Sequence, residues 1–530
     1  MGVLLHRSND LPSPVEYQNW VGIGGLRATP DGPAMDLSAA LEDSFDSQAQ
    51  HWLKIGYDLA LDPSADLAHT PACVANASDF GAMLGWGALL KKWSDQTGTV
   101  LVVCDDPWLF RHFRRFPGVV AGTAPPLLPQ VLRLAIRGYL ARMRFTVRMV
   151  VRYLRQARPS PAPGGSWVLT YAHPSSNGAG QDAYFGDLMS KLPGLRRVLH
   201  VDGRAEVTER LISERTVALS SWGSIWSAFG LPFVRWRPSR RHRHGPQGWL
   251  VRRAAAMEGG SAQAAAIRWQ QICQRRFMAD LRPNVVAWPW ENHAWERDLV
   301  RVARVHGVKT VGYQHSVVGR QMLNYAPASN PDGEDGLPDM MLCTGTTTRT
   351  QLMQWGVPSA RTRVAGAHRF AASAKVEYDP AQPVFLALPF DLATAADMLE
   401  AARRAVKSGF RFWVKDHPMT PFQFQESAGI SRVHRPLTAC SAVRAVVYAA
   451  TTVGLEAVLM GLPTLRFRPS GRISLDILPV GLSVPVTGPN DLAEVLGTLS
   501  SPPPLDRNLF FAPVDETLWA DMMEGRANEQ

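Results

Sequence analysis

The stretch Ala445-Val-Val-Tyr-Ala-Ala-Thr-Thr-Val-Gly-Leu-Glu-Ala-Val-Leu-Met-Gly-Leu-Pro-Thr-Leu-Arg-Phe467 decides the fold. Its first five residues are an apolar run of strand length, Thr451-Thr452 can open a helix that runs to Met460, Gly461 and Pro463 stop it, and Thr464–Phe467 is a second apolar run. A strand, a helix and a strand in so short a span make a βαβ unit, whose two strands are parallel because the helix carries the chain back along the sheet.

The same alternation extends backwards. Asp339–Cys343, Thr362–Val364, Val384–Leu388 and Arg411–Lys415 read as strands, with helices over Thr347–Gln354 and Thr394–Lys407. Before them, Trp167–Ala172, Arg197–Val201, Asn284–Trp288 and Val308–Tyr313 form an earlier series of the same kind. Two parallel-sheet domains are expected. The Gly/Pro/Asp-rich Pro327–Pro338 is the expected boundary between them, and the Pro/Gly-rich Arg158–Ser166 separates them from what precedes. The expected organisation is an N-terminal region 1–158 with one clear strand at Thr99–Cys104, domains at 166–335 and 338–500, and a tail 501–530.

At 46% apolar and 19% charged residues, the 530-residue chain is too apolar for a disordered one and long enough for several cores. The five cysteines, Cys73, Cys104, Cys273, Cys343 and Cys440, have no zinc spacing and read as buried thiols of a reducing compartment. Met1–Asp10 lacks a signal-peptide apolar core, and no window of about 18 residues is apolar enough to span a bilayer. The cytoplasm is the default expectation.

The net charge of +10 is concentrated: residues 107–181 hold eleven arginines and no acid, and the other 45 basic and 46 acidic residues nearly cancel. Within that segment, residues 127–158 read as a long basic amphipathic helix with Arg133, Arg137, Arg144, Arg148, Arg155 and Arg158 in one stripe, Arg152 at its edge and Arg142 opposite. An interfacial helix on the inner face of an anionic membrane and a helix packed into the fold both fit this pattern. No nucleic-acid motif accompanies the charge, so nucleic acid is not expected as a partner.

In open parallel sheets ligands bind beyond the carboxyl ends of strands. Four loops of that kind carry reactive groups: Glu291, Gln314-His315-Ser316, Lys415-Asp-His417-Pro418 and Thr451-Thr452. Thr451 and Thr452 open a helix where hydroxyls and backbone N–H groups can meet a phosphate, although Thr there is also an ordinary helix cap. Gly454 lets the backbone come close, and Glu456 can accept from ribose hydroxyls. Lys415 and His417 are potential donors to a nucleotide, with Pro418 fixing the loop behind them. Asp105-Asp106 has no third acid near it and reads as a strand-end turn, so no metal site is expected.

Lys415-Asp-His-Pro418 followed by the Thr-Thr segment resembles the nucleotide-binding half of bacterial surface-polysaccharide glycosyltransferases of the GT-B fold. The likeness is to the CMP-sugar group, polysialyltransferases and capsule Kdo transferases, with their HP and Ser/Thr motifs. Trp290-Glu-Asn-His-Ala-Trp-Glu-Arg297 and Gly312-Tyr-Gln-His-Ser316 resemble segments of the same group. The likeness covers roughly residues 165–470, with Asp416 where many relatives have Pro and Thr-Thr for Ser-Ser. It implies an α/β GT-B-like pair of Rossmann-like domains facing a cleft. It also implies a CMP-activated acidic-sugar donor held by Lys415, His417, Pro418, Thr451, Thr452, Gly454 and Glu456, and a lipid-linked or glycan acceptor. No cofactor or metal is implied. Transfer with inversion needs a base on the acceptor side, and Glu291, His315 and Asp182 are the candidates. A CDP-glycerol-type glycerophosphotransferase and a non-catalytic, membrane-recruited GT-B-like scaffold are the competing readings.

Overall fold

The computed structural model describes residues 2–526 apart from 25, 27, 96–98, 156–160, 370–374 and 504. The chain folds around three parallel sheets. The first contains β1 (Val3–His6), β2 (Asn19–Ile23), β3 (Val100–Cys104) and β4 (Val119–Ala121), in the order β2-β3-β1-β4. Leu5, Val21 and Val102 of this sheet pack with Trp52, Phe80 and Trp86 from its helices. The N-terminal region is therefore a sheet domain with its own core. Only β3 stands out in the sequence, because β1 and β4 are four and three residues long.

The second sheet has seven strands: β5 (Ser166–Thr170), β6 (Arg196–Leu199), β7 (Thr216–Ala218), β8 (Val285–Pro289), β9 (Lys309–Gln314), β10 (Met340–Cys343) and β11 (Thr362–Val364). Then come β12 (Glu377–Tyr378), β13 (Val384–Ala387), β14 (Phe412–Lys415), β15 (Ile430–Arg432), β16 (Ala442–Val443), β17 (Val446–Tyr448), β18 (Thr464–Phe467) and β19 (Val486–Thr487). β12 and β16 form a small ribbon, and the other six build the third sheet. The orders are β11-β10-β9-β8-β5-β6-β7 and β15-β14-β13-β17-β18-β19. Each sheet reverses direction once, between β5 and β8 and between β13 and β17. That is the doubly wound, Rossmann-like order, with its binding crevice at the reversal. The α/β, GT-B-like pair of domains expected from the sequence is what the strand orders show.

Three boundaries differ from expectation. β10 and β11 pair with β9 and each other, so they complete the second sheet instead of starting the third. The expected boundary, Pro327–Pro338, is folded into short 3-10 turns against the helix Ala294–Val305, where Asp332 pairs with Arg301 at 2.6 Å and Ser329 Oγ accepts from Arg297 at 2.9 Å. The break falls after β11. The expected tail is not a tail, because its helix Glu516–Glu524 returns to the second sheet, with Trp519 fully buried against Phe185 and Tyr313 and its indole N–H donating to the Ala365 carbonyl at 3.2 Å.

The basic helix runs Leu127–Arg155, and Arg158 lies outside the described residues. Its buried face is mostly small or polar: Gly138, Arg142, Thr146 and Arg152, with only Leu134 and Met149 apolar. Arg142 donates to the carbonyls of Pro232 (2.9 Å), Gly259 (2.7 Å) and Ser261 (3.2 Å), and Arg152 to those of Val201 and Gly203, both at 3.0 Å. These contacts replace the water each guanidinium loses on burial. The helix is packed into the fold, with most of its large apolar side chains turned outward.

One carboxylate ties the three sheets together. Glu42, on the helix Ser38–Ser47, is 2% exposed, accepts from Arg466 (2.9 and 3.2 Å) and Arg320 (2.5 Å), and forms an ion pair with Arg468 at 2.6 Å. Arg320 follows β9, and the other two arginines belong to β18 and its end. The five cysteines are buried and unbridged. No helix among the described residues is long and apolar enough to cross a membrane.

Candidate active site

At the reversal of the second sheet, β5 leads into Tyr171 and β8 into Trp290-Glu291. Most of the segment Trp290–Arg297 builds this loop. Glu296, fully buried, accepts from the Trp288 indole (2.9 Å) and from the backbone N–H groups of Glu291 (2.9 Å), Asn292 (3.0 Å) and His293 (3.2 Å). Burial pushes its carboxyl up to about 8, against four donors that favour the charged form. Asn292 takes a left-handed φ of 57° and its side-chain amide donates to the Asn324 carbonyl at 2.7 Å, while the Asn324 amide donates to the Glu291 carbonyl at 2.6 Å. What the loop presents outward is Glu291, its side chain 37% exposed and 3.4 Å from His293 Nε2.

Around Glu291 the strand ends collect aromatic and imidazole rings. His315, just past β9, meets Tyr184 edge-on at 5.0 Å, Tyr184 meets Tyr171 at 5.7 Å, and Tyr171 lies 4.8 Å from His200. His315 is 7% exposed and its Nδ1 is buried with no hydrogen-bond partner. Burial first, then the cation of Arg369, hold its pKa down to about 4, and only the Glu291 carboxylate pulls it upward. The ring is therefore neutral at pH 7 and can accept a proton.

Asp182, the third candidate base, does not face this space. It is fully buried, pairs with Arg197 at 3.3 Å, and accepts from Tyr184 N (2.8 Å), Phe185 N (3.2 Å) and Thr170 Oγ1 (3.2 Å). It anchors the loop that carries Tyr184, and every one of those contacts needs its charge or lone pairs.

At the reversal of the third sheet, Lys415 and Tyr448 both stand opposite Ala387, so β14 and β17 end level on either side of β13. Two strand spacings, about 10 Å, separate Lys415 from Tyr448, and the loops Asp416-His417 and Thr451-Thr452 follow these two strand ends. His417-Pro-Met-Thr420 is a turn with Pro418 at its second position, closed by Thr420 N to the His417 carbonyl at 3.1 Å. His417 Nδ1 accepts from Met419 N at 3.3 Å, which leaves the ring proton on Nε2 as a donor, and burial lowers the pKa of the ring. Asp416 binds Arg432 and accepts from Phe422 N at 3.2 Å, so it fastens the loop.

Ala450 has a left-handed φ of 46°, which turns the chain before Thr451. Thr452 sits at the N-cap of Val453–Leu459 with its hydroxyl making no capping bond, so the capping role that its position suggests is not the one it plays. Gly454 serves a different purpose from the expected backbone approach: a Cβ there would fall 2.4 Å from the Tyr448 ring, so it makes room for that ring. Glu456 is half-buried, its carboxyl raised by burial and lowered by Arg369 and Arg507.

Arg369 joins the two halves. It follows β11 in the loop Gly366-Ala-His-Arg369, its guanidinium lies 5.3 Å above the Tyr184 ring, and its charge acts on His173, Tyr184 and His315 of one half and on Glu456 of the other. The strand-end position was readable from sequence, but no motif marked it. Tyr171 and Tyr184 were equally unmarked. Among the described residues no three His, Cys, Asp or Glu side chains converge as metal ligands.

No family model and no curated protein matches the chain. Among solved structures, UDP-N-acetylglucosamine 2-epimerase from Rickettsia bellii is similar at 11% identity over 69% of this chain and 95% of its own, with a TM-score of 0.37. Anabaena Alr3699/HepE in complex with UDP and glucose is similar at 12% identity over 63% and 89%, with a TM-score of 0.31. The lipopolysaccharide outer core galactosyltransferase WaaB is similar at 10% identity over 68% and 95%, with a TM-score of 0.32.

Proposed function

We propose that the protein is a glycosyltransferase of bacterial surface-polysaccharide assembly. It transfers an acidic sugar, Kdo or a nonulosonic acid, from a CMP-activated donor to a lipid-linked or glycan acceptor at the inner face of the cytoplasmic membrane. The observation that carries the reading is the pair of strand-end crevices whose groups share one cation, Arg369. One crevice offers the Lys415 cation, the His417 ring N–H and the hydroxyls of Thr451 and Thr452, suited to a nucleotide phosphate. The other offers Glu291 and a neutral His315, suited to an acceptor hydroxyl.

In this mechanism His315, supported by the Glu291 carboxylate, takes the acceptor proton as the anomeric carbon develops positive charge. Arg369, Lys415 and His417 stabilise the departing phosphate, work that a metal ion would otherwise do. Arrival of an anionic donor beside His315 raises its pKa and makes it a stronger base.

Thermal shift with nucleotides tests this. CMP is expected to stabilise the wild type more than CDP, UDP or GDP do, and His417→Ala and Thr452→Ala are expected to lose that stabilisation with the fold intact. Transfer is expected to survive EDTA, and a strict divalent-metal requirement overturns the mechanism. A CDP preference supports glycerophosphate transfer instead, and no nucleotide response at all supports a non-catalytic scaffold.

A further inference from the structure

The fold brings a second acid-free stretch against the first. Residues 215–257 contain eight arginines, no lysine and no acid. Together with residues 107–181 they hold nineteen of the 56 basic residues and none of the 46 acids, which leaves the rest of the chain at −9. The short helix Ile225–Ala228 and the turn Leu231–Phe233 sit beside the basic helix, with the Phe233 ring 5.9 Å from Tyr139 and the Pro232 carbonyl bonded to Arg142.

The surface they share is apolar at its centre and cationic at its edge. Leu132, Ile136, Leu140, Met143, Val147 and Leu154 are between 37% and 64% exposed. At 100° per residue they span roughly 80° of the helix, and Arg133, Arg144, Arg148 and Arg155 occupy the next 60° or so. All four of those arginines are exposed. On the other flank of the stripe, in the segment that meets Tyr139, Trp226 is 85% exposed, Phe229 65% and Phe233 64%, with Arg235 also exposed. Ordinary surface helices bury their apolar stripe. Here the buried face is Gly138, Arg142, Thr146 and Arg152 with only Leu134 and Met149 apolar, and the wider apolar stripe is left to solvent.

We propose that this composite face docks on an anionic lipid bilayer, with the helix lying flat, the apolar stripe and Trp226, Phe229 and Phe233 in the acyl boundary, and the arginine row on lipid phosphates. The 29-residue helix is about 43 Å long. Its arginine row bars it from spanning, and its length suits lying in the interface. Charge decides the occupant. A second copy on this face would bring another acid-free surface and leave both arginine rows without counter-charge, whereas lipid phosphate supplies it. The proposal extends the membrane-facing part of the function above and does not depend on the donor chemistry.

Co-sedimentation of the full chain with vesicles of phosphatidylcholine, with and without phosphatidylglycerol, tests it. The wild type is expected to partition onto the anionic vesicles. Trp226→Ser/Phe229→Ser and Ile136→Gln/Val147→Gln are each expected to lower that partitioning about tenfold. Arg144→Gln/Arg148→Gln is expected to lower it about fivefold per arginine on anionic vesicles only. All these sites are exposed, and each variant should keep the wild-type melting temperature and nucleotide response. A wild type that stays in the supernatant, or variants that pellet like it, overturns the proposal. So does a concentration-dependent dimer in sedimentation velocity that the Trp226→Ser/Phe229→Ser variant abolishes. Vesicle binding without any nucleotide response removes the transferase reading and leaves this one standing.

Discussion

His315 combines burial, a neutral ring and an unpartnered Nδ1, and that combination ties its proton chemistry to what enters the cleft. With the neutral imidazole as the proposed base and its pKa held down to about 4, kcat/KM is expected to stay level from pH 8 down to about 5 and to fall only as the ring protonates below that. His315→Asn is expected to lower kcat by about 10²–10⁴ and remove that acid limb, measured in a coupled transfer assay. An unchanged rate and profile would take His315 out of the chemistry. At this scale the sequence was informative about position and silent about partners. Glu291 and His315 were legible because each ends a strand. Asp182 was misread because nothing in the chain order announces that Arg197 waits beside it in the core. Arg369 was passed over because one arginine after a glycine is a weak signal until the fold sets it between two crevices.

At the scale of elements, the basic helix shows how far periodicity reaches. Its extent and its arginine stripe were readable, but a helical wheel cannot say which face meets the protein. The answer lies in Gly138 and Arg142. A Cβ at Gly138 would lie 1.9 Å from the Gly259 carbonyl oxygen, so the helix crosses its neighbour by backbone contact at that point. Gly138→Ala is expected to force the helix outward and cost about 1–3 kcal/mol, although alanine is the better helix former. Chemical denaturation measures this, and a neutral or stabilising result would mean that the crossing is looser than described. The segment Trp290–Arg297 teaches the complementary lesson. It reads as a functional motif, yet Glu296, Asn292 and Arg297 spend themselves on holding one loop, and only Glu291 is presented to the cleft. The break between domains was misplaced for a related reason: proline and glycine mark a change of direction, and in Pro327–Pro338 the chain turns without leaving its sheet.

For the molecule as a whole, burial of several imidazoles sets the response to acid. His69, His293, His315 and His368 have pKa values pushed down to about 3 or 4, chiefly by burial, against about 6.5 in the unfolded chain. Between those limits the unfolded state binds more protons, so their contribution is complete above about pH 6.5 and is lost as pH falls toward 4. Each accounts for up to about 1.4 kcal/mol per pH unit. Glu296, raised to about 8, acts in the opposite sense, and the four imidazoles outweigh it. The melting temperature is expected to drop between pH 7 and pH 5, as calorimetry would show, and a flat or rising value contradicts the balance. Glu42 governs a different property, the way the cleft can open. It holds Arg320 of one Rossmann-like half and Arg466 and Arg468 of the other; breaking the fully buried Arg466 pair costs about 3–5 kcal/mol, and the more exposed Arg320 pair costs less. The halves are joined at that point, so a relative motion of the two would pivot about it. The N-terminal domain, which carries the pin, is thereby the fulcrum of the cleft.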